Sequence, residues 1–297
     1  MIEHIARAKI NLALHVTAQR ADGYHEIDTL AGFADTGDRL GFEAAPDGAI
    51  RLDVTGPFAR ELEAAGAGQD GNIVMRAAEI LARSAREAGL RPGGARIHLE
   101  KNLPVASGLG GGSADAAATL VGLRELWNLP AGLKLGPIAA SLGADVPMCL
   151  VSAPLRARGI GEAVERLEGA GACHALLVNP RVAVSTPQVF AALARKANPA
   201  IGALPPDPFD PAWLATLRND LEVPATEACP VIGDVLAWLG RQEGCVLARM
   251  SGSGATCYGL FGDAAQARAA HRQAVDTMTQ WWSAPAEIAG STVPQHR

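Results

Sequence analysis

The stretch 104–115, PVASGLGGGSAD, constrains this chain more than any other. Four of the five residues from Gly108 to Gly112 are glycine. They follow an alternating run at 95–99 (ARIHL) and precede a segment whose spacing predicts a helix over 113–126, opening at Ser113. Glycine has no Cβ, so its backbone N–H can approach an anion closely and take positive φ. A helix N-terminus adds unsatisfied N–H groups and the positive end of its dipole. Strand, glycine loop and helix start, in that order, predict a phosphate cradle within an α/β chain. Neither common template fits it. The dinucleotide fingerprint G-x-G-x-x-G needs a third glycine where this chain has Ser113, which counts against a dinucleotide-dependent oxidoreductase. The P-loop ends in Gly-Lys-Ser/Thr, whereas Gly112 is followed by Ser113 and Ala114.

The remainder alternates strands with helices. Residues 8–16 (AKINLALHV) place Ala8, Ile10, Leu12, Leu14 and Val16 on one face and Lys9, Asn11 and His15 on the other, the pattern of a half-buried strand. Residues 49–54 alternate likewise. Apolar side chains at helical spacing fill 73–88, with Asn72 as N-cap and Gly89 as stop. A third helix fits 133–142, ending at Gly143. Strands follow at 175–178, 246–249 and 256–261, then a helix over 264–281. Composition shifts after residue 150, and 198–211 is proline-rich, a long surface loop. The expected division is 1–157 and 158–297.

With 297 residues and 48% hydrophobic side chains the chain can bury a core, so disorder is excluded as its main state. A net charge of −5 argues against nucleic acid as the principal partner. The five cysteines are odd in number and lack C-x-x-C spacing, which fits buried thiols in a reducing compartment better than a disulfide framework or zinc knuckle. The charged N-terminus MIEHIARAKI does not read as a signal peptide, and no apolar run approaches a membrane span. A cytoplasmic protein without membrane contact is expected.

Three further segments bear polar groups suited to chemistry. Lys9 and Asn11 project from one strand face. Asp145, in GADVP, follows a predicted helix stop and precedes Val146-Pro147, which places it in a rigid turn. MSGSGAT at 250–256 is a second glycine–serine loop between strands. Read singly, each has a plain structural explanation: a solvated strand face, an Asx-type turn, a flexible connection.

Taken together, AKINLALHV, PVASGLGGGSADAA and MSGSGAT resemble, in order, the three motifs of the GHMP kinases, the small-molecule kinases named for galactose, homoserine, mevalonate and phosphomevalonate. RADGYH at 20–25, SLGADVP at 141–147, VSTPQVF at 184–190 and the closing 290–297 extend the likeness. Within the family they resemble the member that phosphorylates a cytidine-diphosphate-linked polyol on the non-mevalonate route to isoprenoids. The resemblance implies a two-domain α/β (α+β) fold: an N-terminal ATP-binding and catalytic domain, and a C-terminal domain whose antiparallel sheet is backed by helices. It implies ATP as co-substrate with Mg²⁺, a small-molecule substrate, and a monomer or homodimer; it assigns no metal ligand.

It also implies site residues. Asp145 accepts the proton of the substrate's 2-hydroxyl, Lys9 stands beside it, and Asn11 positions the hydroxyl. ATP is held by Pro104, Val105, Ala106, Ser107, Gly108, Leu109, Gly110, Gly111, Gly112, Ser113 and Ala114, with Asn72 and Lys101 near the nucleotide. Tyr24 and Phe190 sandwich the cytosine, His25 bonds to its edge, and Thr186 faces the substrate. These cytosine-directed residues argue against homoserine or mevalonate as the acceptor. Retention of both Lys9 and Asp145 argues against a non-catalytic nucleotide-binding protein.

Overall fold

The computed structural model describes residues 1–66 and 71–291; most of the closing stretch 290–297 lies outside the described residues. The elements, in chain order, are strands β1 (Ile2–Gln19), β2 (His25–Ala45) and β3 (Ile50–Thr55), helices α1 (Ala59–Ala64) and α2 (Ile73–Glu87), β4 (Gly94–Glu100), helices α3 (Gly111–Leu126), α4 (Leu135–Leu142) and α5 (Val146–Val151). Strands β5 (Leu155–Gly159), β6 (Ala163–Arg166) and β7 (Cys173–Asn179) follow, then helices α6 (Thr186–Ala191), α7 (Pro211–Leu214), α8 (Glu222–Ala228) and α9 (Val231–Gly240), strands β8 (Cys245–Met250) and β9 (Cys257–Phe261), α10 (Ala264–Thr277) and β10 (Trp282–Ile288).

The chain forms two compact units: Met1–Ala8, Gly37–Val105 and Gly110–Val151 in the first, Lys9–Thr36, Ala106–Leu109 and Ser152–Arg297 in the second. The two units interleave along the chain, and the last passage between them falls after Val151. The cause is strand length. β1 and β2 run for 18 and 21 residues, and each gives one end to each unit.

In the first unit β3 runs parallel to β4, and the end of β2 runs antiparallel to β4. Leu52, Ile97, Leu99, Phe42 and Leu81 are buried there. Helix α2 packs on α3 and on β3. It starts as expected: the Asn72 side chain accepts the Val74 N–H at 2.9 Å. Gly122 lets α3 lie close on β2, since a Cβ there would come within 2.3 Å of the Phe42 ring.

In the second unit β8, β9, β7 and β10 form an antiparallel sheet, β10 meets β2 at Ile288↔Ala34, and β5 joins β2 to β6. Helices α9 and α10 back it, and Leu176, Val178, Ile232, Val235, Trp238 and Ala270 share one core. This is the antiparallel, helix-backed half expected from the resemblance. Helix α10 stops four residues short of the predicted 281 because β10 begins at Trp282. The proline-rich loop is not wholly superficial. Ile201 and Phe209 are buried, and the Asp28–Arg156 pair grips it through the Ile201 N–H and carbonyl. Among the described residues no helix is long and apolar enough to cross a membrane, and all five cysteines are free.

Candidate active site

The glycine loop adopts the backbone that its composition demands. Gly108 and Gly110 have φ of +78° and +63°, and Gly110 is the N-cap of α3 in the left-handed region. The helix thus opens two residues before the expected Ser113. Ala106 also takes positive φ, at +50°. Gly108 needs its missing Cβ for a second reason: one there would lie 2.6 Å from the Ser251 carbonyl oxygen. Three successive loop carbonyls are pinned within the second unit. The Ser107 oxygen accepts the Thr256 N–H at 3.0 Å, the Gly108 oxygen accepts the Ser251 hydroxyl at 3.0 Å, and the Leu109 oxygen accepts the Lys9 N–H at 2.8 Å.

Lys9 and Asn11 stand together, as one strand face dictates. Lys9 Nζ donates to Asn11 Oδ1 at 2.7 Å, and Asn11 Nδ2 donates to Thr29 Oγ1 at 2.8 Å. Thr29 in turn donates to the Ala13 carbonyl at 2.6 Å, so the amide's orientation is fixed at both ends. Lys9 and Asn11 are 3% and 2% exposed. Asp145 belongs to the first unit, half-buried in the turn between α4 and α5, where its carbonyl accepts the Cys149 N–H at 3.0 Å.

Lys101 is buried between two carboxylates. Its Nζ lies 2.5 Å from Asp38 Oδ2 and 2.6 Å from Asp115 Oδ2. Asp38 Oδ1 also accepts the backbone N–H groups of Asn102 and Leu103. A Cβ on Gly111 would sit 3.3 Å from Lys101 Nζ, so the ammonium lies against the first turn of α3. Burial pushes the Asp115 carboxyl up to about 7 despite the pull of Lys101. Burial also acts to lower the Lys101 ammonium, but Asp115 and Asp38 outweigh it and hold it above its ordinary value.

The residues expected around a pyrimidine separate into two kinds. Tyr24 closes the 20–24 turn joining β1 to β2 and is 61% exposed. Gly23 takes φ +90° in that turn. His25 stacks on Phe190, ring centroids 5.0 Å apart at 26°. His25 Nε2 is buried and has no partner among the described residues. Burial, with a contribution from Lys196, lowers its basicity, which favours the neutral ring. The Thr186 hydroxyl meets the Ser253 hydroxyl at 2.7 Å, linking the start of α6 to the loop at 250–256.

Two family models match the chain: the GHMP kinases N-terminal domain over residues 72–153 and the GHMP kinases C-terminal domain over 209–278. A Cereibacter sphaeroides protein named 4-diphosphocytidyl-2-C-methyl-D-erythritol kinase is 48% identical over 295 residues, covering 98% of this chain and all of its own. One of the same name from Rhizobium etli is 52% identical over 284 residues, 93% of this chain and 91% of its own. This chain belongs to the GHMP kinase family. The crystal structure of a 4-(cytidine 5'-diphospho)-2C-methyl-D-erythritol kinase superposes on 97% of it and 100% of that chain, with a TM-score of 0.77 and 33% identity. Homoserine kinase from Cytophaga hutchinsonii, at 19% identity and a TM-score of 0.67, shares the fold.

Several residues that organise this GHMP kinase's motifs were not singled out by sequence. Asp38 lies on a strand that periodicity did not reveal. Asp115 stands inside the glycine motif, yet its pairing with Lys101 has no local signature. Asn219 is buried and donates to the Met250 and Gly252 carbonyls at 2.8 Å each, holding the 250–256 loop from both sides of Ser251.

Proposed function

We propose that this GHMP kinase transfers the γ-phosphoryl group of ATP to the 2-hydroxyl of 4-diphosphocytidyl-2-C-methyl-D-erythritol, giving the 2-phosphate and ADP, on the non-mevalonate route to isoprenoid precursors. One observation carries this reading: relatives bearing that enzyme's name match at about half identity along nearly the full length of both chains.

Phosphoryl transfer asks a protein mainly for positioning and charge stabilisation. Asp145 takes the proton of the 2-hydroxyl, Lys9 stabilises the negative charge developing on that oxygen, and Asn11 orients it. The 104–114 loop receives the phosphates at the start of α3, where backbone N–H groups and the helix dipole favour an anion. Asn72 serves the nucleotide side by capping α2, and Lys101 by bracing the first turn of α3. His25 reads the cytosine edge, a role that its unpartnered Nε2 supports; Tyr24 and Phe190 supply ring faces and Thr186 faces the substrate. Residues 1–157 carry nucleotide binding and catalysis, and 158–297 contribute to substrate binding. Each family model falls wholly within one of these halves. Mg²⁺ would come with the nucleotide and would supply charge neutralisation at the phosphates; among the described residues no cluster of three or more His, Cys, Asp or Glu side chains is placed to hold it. The enzyme works in the cytoplasm as a monomer or homodimer, without nucleic acid or membrane.

Incubation with ATP, Mg²⁺ and candidate alcohols tests the assignment. ADP release is expected to depend on the cytidine-diphosphate polyol. Homoserine, which offers nothing to a cytosine subsite, is expected to be at least about 10²-fold poorer in kcat/KM. Comparable turnover of homoserine overturns the substrate assignment and leaves the family intact.

A further inference from the structure

Ser251 is fully buried, and its hydroxyl is used in both directions. It accepts the Asn11 backbone N–H at 3.1 Å and donates to the Gly108 carbonyl at 3.0 Å. One oxygen thus ties together residues from the first, second and third sequence motifs. Its own backbone is fixed as well: the Ser251 N–H donates to the Thr256 carbonyl at 2.9 Å, and its carbonyl accepts the Gly254 N–H at 3.1 Å. Only a hydroxyl on a short side chain can accept from one backbone group and donate to another at that spot.

The consequence lies in the planarity of the peptide unit. In a trans peptide the N–H points opposite to the carbonyl that precedes it. Pinning the Gly108 carbonyl therefore aims the Leu109 N–H away from β1 and the 250–256 loop. The Thr256 bond to the Ser107 carbonyl does the same for the Gly108 N–H. Among the described residues, neither of those N–H groups donates to a protein acceptor. Successive N–H groups turned to one side form the kind of concavity that binds anions. The outer two of the three pinned carbonyls are held by backbone N–H groups, which no side-chain change removes. The middle one depends on a single side chain.

We propose that Ser251 is a positioning residue for the nucleotide's phosphates: through the Gly108 carbonyl it fixes the peptide whose N–H, at Leu109, faces the phosphate chain. It touches no substrate itself. The same hydroxyl holds the backbone of Asn11, so the loop and the strand bearing Lys9 are set by one group. This rests on the reading of 104–114 as the ATP phosphate site.

The test compares a non-hydrolysable ATP analogue with Mg²⁺ against adenosine, by titration calorimetry and competition, on wild type, Ser251→Ala, Ser251→Cys and Ser251→Thr. A backbone donor to a charged oxygen is worth about tenfold to a hundredfold in affinity. Ser251→Ala is expected to weaken the triphosphate by that factor and leave adenosine unchanged. Ser251→Thr keeps the hydroxyl and restores triphosphate affinity, while Ser251→Cys, a poorer donor and acceptor, falls between. If Ser251→Ala does not fold, Ser251→Cys is held to the same criterion. Equal weakening of both ligands reduces Ser251 to general stability and overturns the inference, as does an unchanged triphosphate affinity. A wild-type protein that binds the analogue but phosphorylates no cytidine-diphosphate polyol sinks the proposed substrate and leaves this comparison decisive. A wild-type protein that binds no analogue overturns the phosphate-site reading and this inference with it.

Discussion

Lys9 in the second unit and Lys101 in the first are both almost fully buried, at 3% and 2% exposure, but they are held in different ways. Lys101 gives its protons to two carboxylates, Asp38 and Asp115. Lys9 gives one to the neutral amide of Asn11, itself fixed by Thr29. Taking an ammonium out of water costs several kcal/mol, about the same whether it serves the fold or the reaction. At Lys101 the two carboxylates convert the charge into a link between the end of β4, the strand β2 and α3 at Asp115. At Lys9 the Asn11 amide, fixed in turn by Thr29, orients the ammonium. Lys101 is thus a brace, whereas the proposed reaction makes Lys9 a group that acts on a ligand.

Removing each lysine breaks or sharpens that contrast. Lys101→Met strands two carboxylates in a dry site and is expected to cost about 3–5 kcal/mol of stability, read from urea unfolding. Lys9→Met removes the donor to Asn11 Oδ1, and the loss of that bond costs about 1–3 kcal/mol. It is expected to stay folded while kcat falls by about 10²–10³-fold, as when one charge-stabilising group is lost. Asp145→Asn should keep its fold and lower kcat by about 10²–10⁴-fold with little change in substrate KM. Were Lys9→Met to unfold as readily as Lys101→Met, the division between brace and acting group would be wrong.

A smaller effect separates the two carboxylates of the brace. Asp38 has both oxygens engaged, whereas Asp115 Oδ1 is buried without a partner among the described residues. Asp115 is the member whose burial shows, with its carboxyl raised to about 7 against an unfolded value near 4. Between those two pH values the folded state binds more protons than the unfolded one. Stability from this group is thus fully present below about pH 4 and is lost as pH rises through about 7. Asp115→Asn keeps the shape and cannot titrate. Its stability relative to wild type should therefore rise as pH goes from 5 to 8, at roughly 1.4 kcal/mol per pH unit until the Asp115 proton is gone, and then level off. A difference that stays flat across that range would show that Lys101 keeps Asp115 ionised throughout.

Legibility from the sequence followed the same divide. The helix α2 with its Asn72 cap, the glycine loop, and the strands with clean alternation were readable because one face of each is polar. β2 was not, because Asp28–Ala34 are all buried and nothing alternates. β10 was hidden by the apolar end of the predicted helix before it. At the site, Lys9 and Asn11 were visible as neighbours two apart on a strand. The pairs Lys101–Asp115 and Ser251–Gly108 join residues 14 and 143 positions apart, and no local pattern announces them. The family resemblance gave the order of the motifs, and only the folded chain shows which atoms tie them.

The smallest expected effect concerns the glycines themselves, which the sequence presents as equivalent. Gly110 sits at φ +63°, so Gly110→Val forces a β-branched residue into the left-handed region at about 1–2 kcal/mol and disturbs the start of α3. Weaker ATP binding should accompany it. Gly112 is different. It lies inside the first turn of α3 and is exposed, and a Cβ there would meet only Ile73 Cγ2, at an ordinary 3.7 Å. Gly112→Ala also removes the entropic cost of a glycine in a helix. It should raise stability by about 0.5–1 kcal/mol with ATP affinity unchanged. Thermal unfolding and nucleotide titration on the two variants decide the point. If Gly112→Ala weakens ATP as Gly110→Val does, the phosphates press on the turn at 112, and that glycine is there for the ligand rather than left over from the loop.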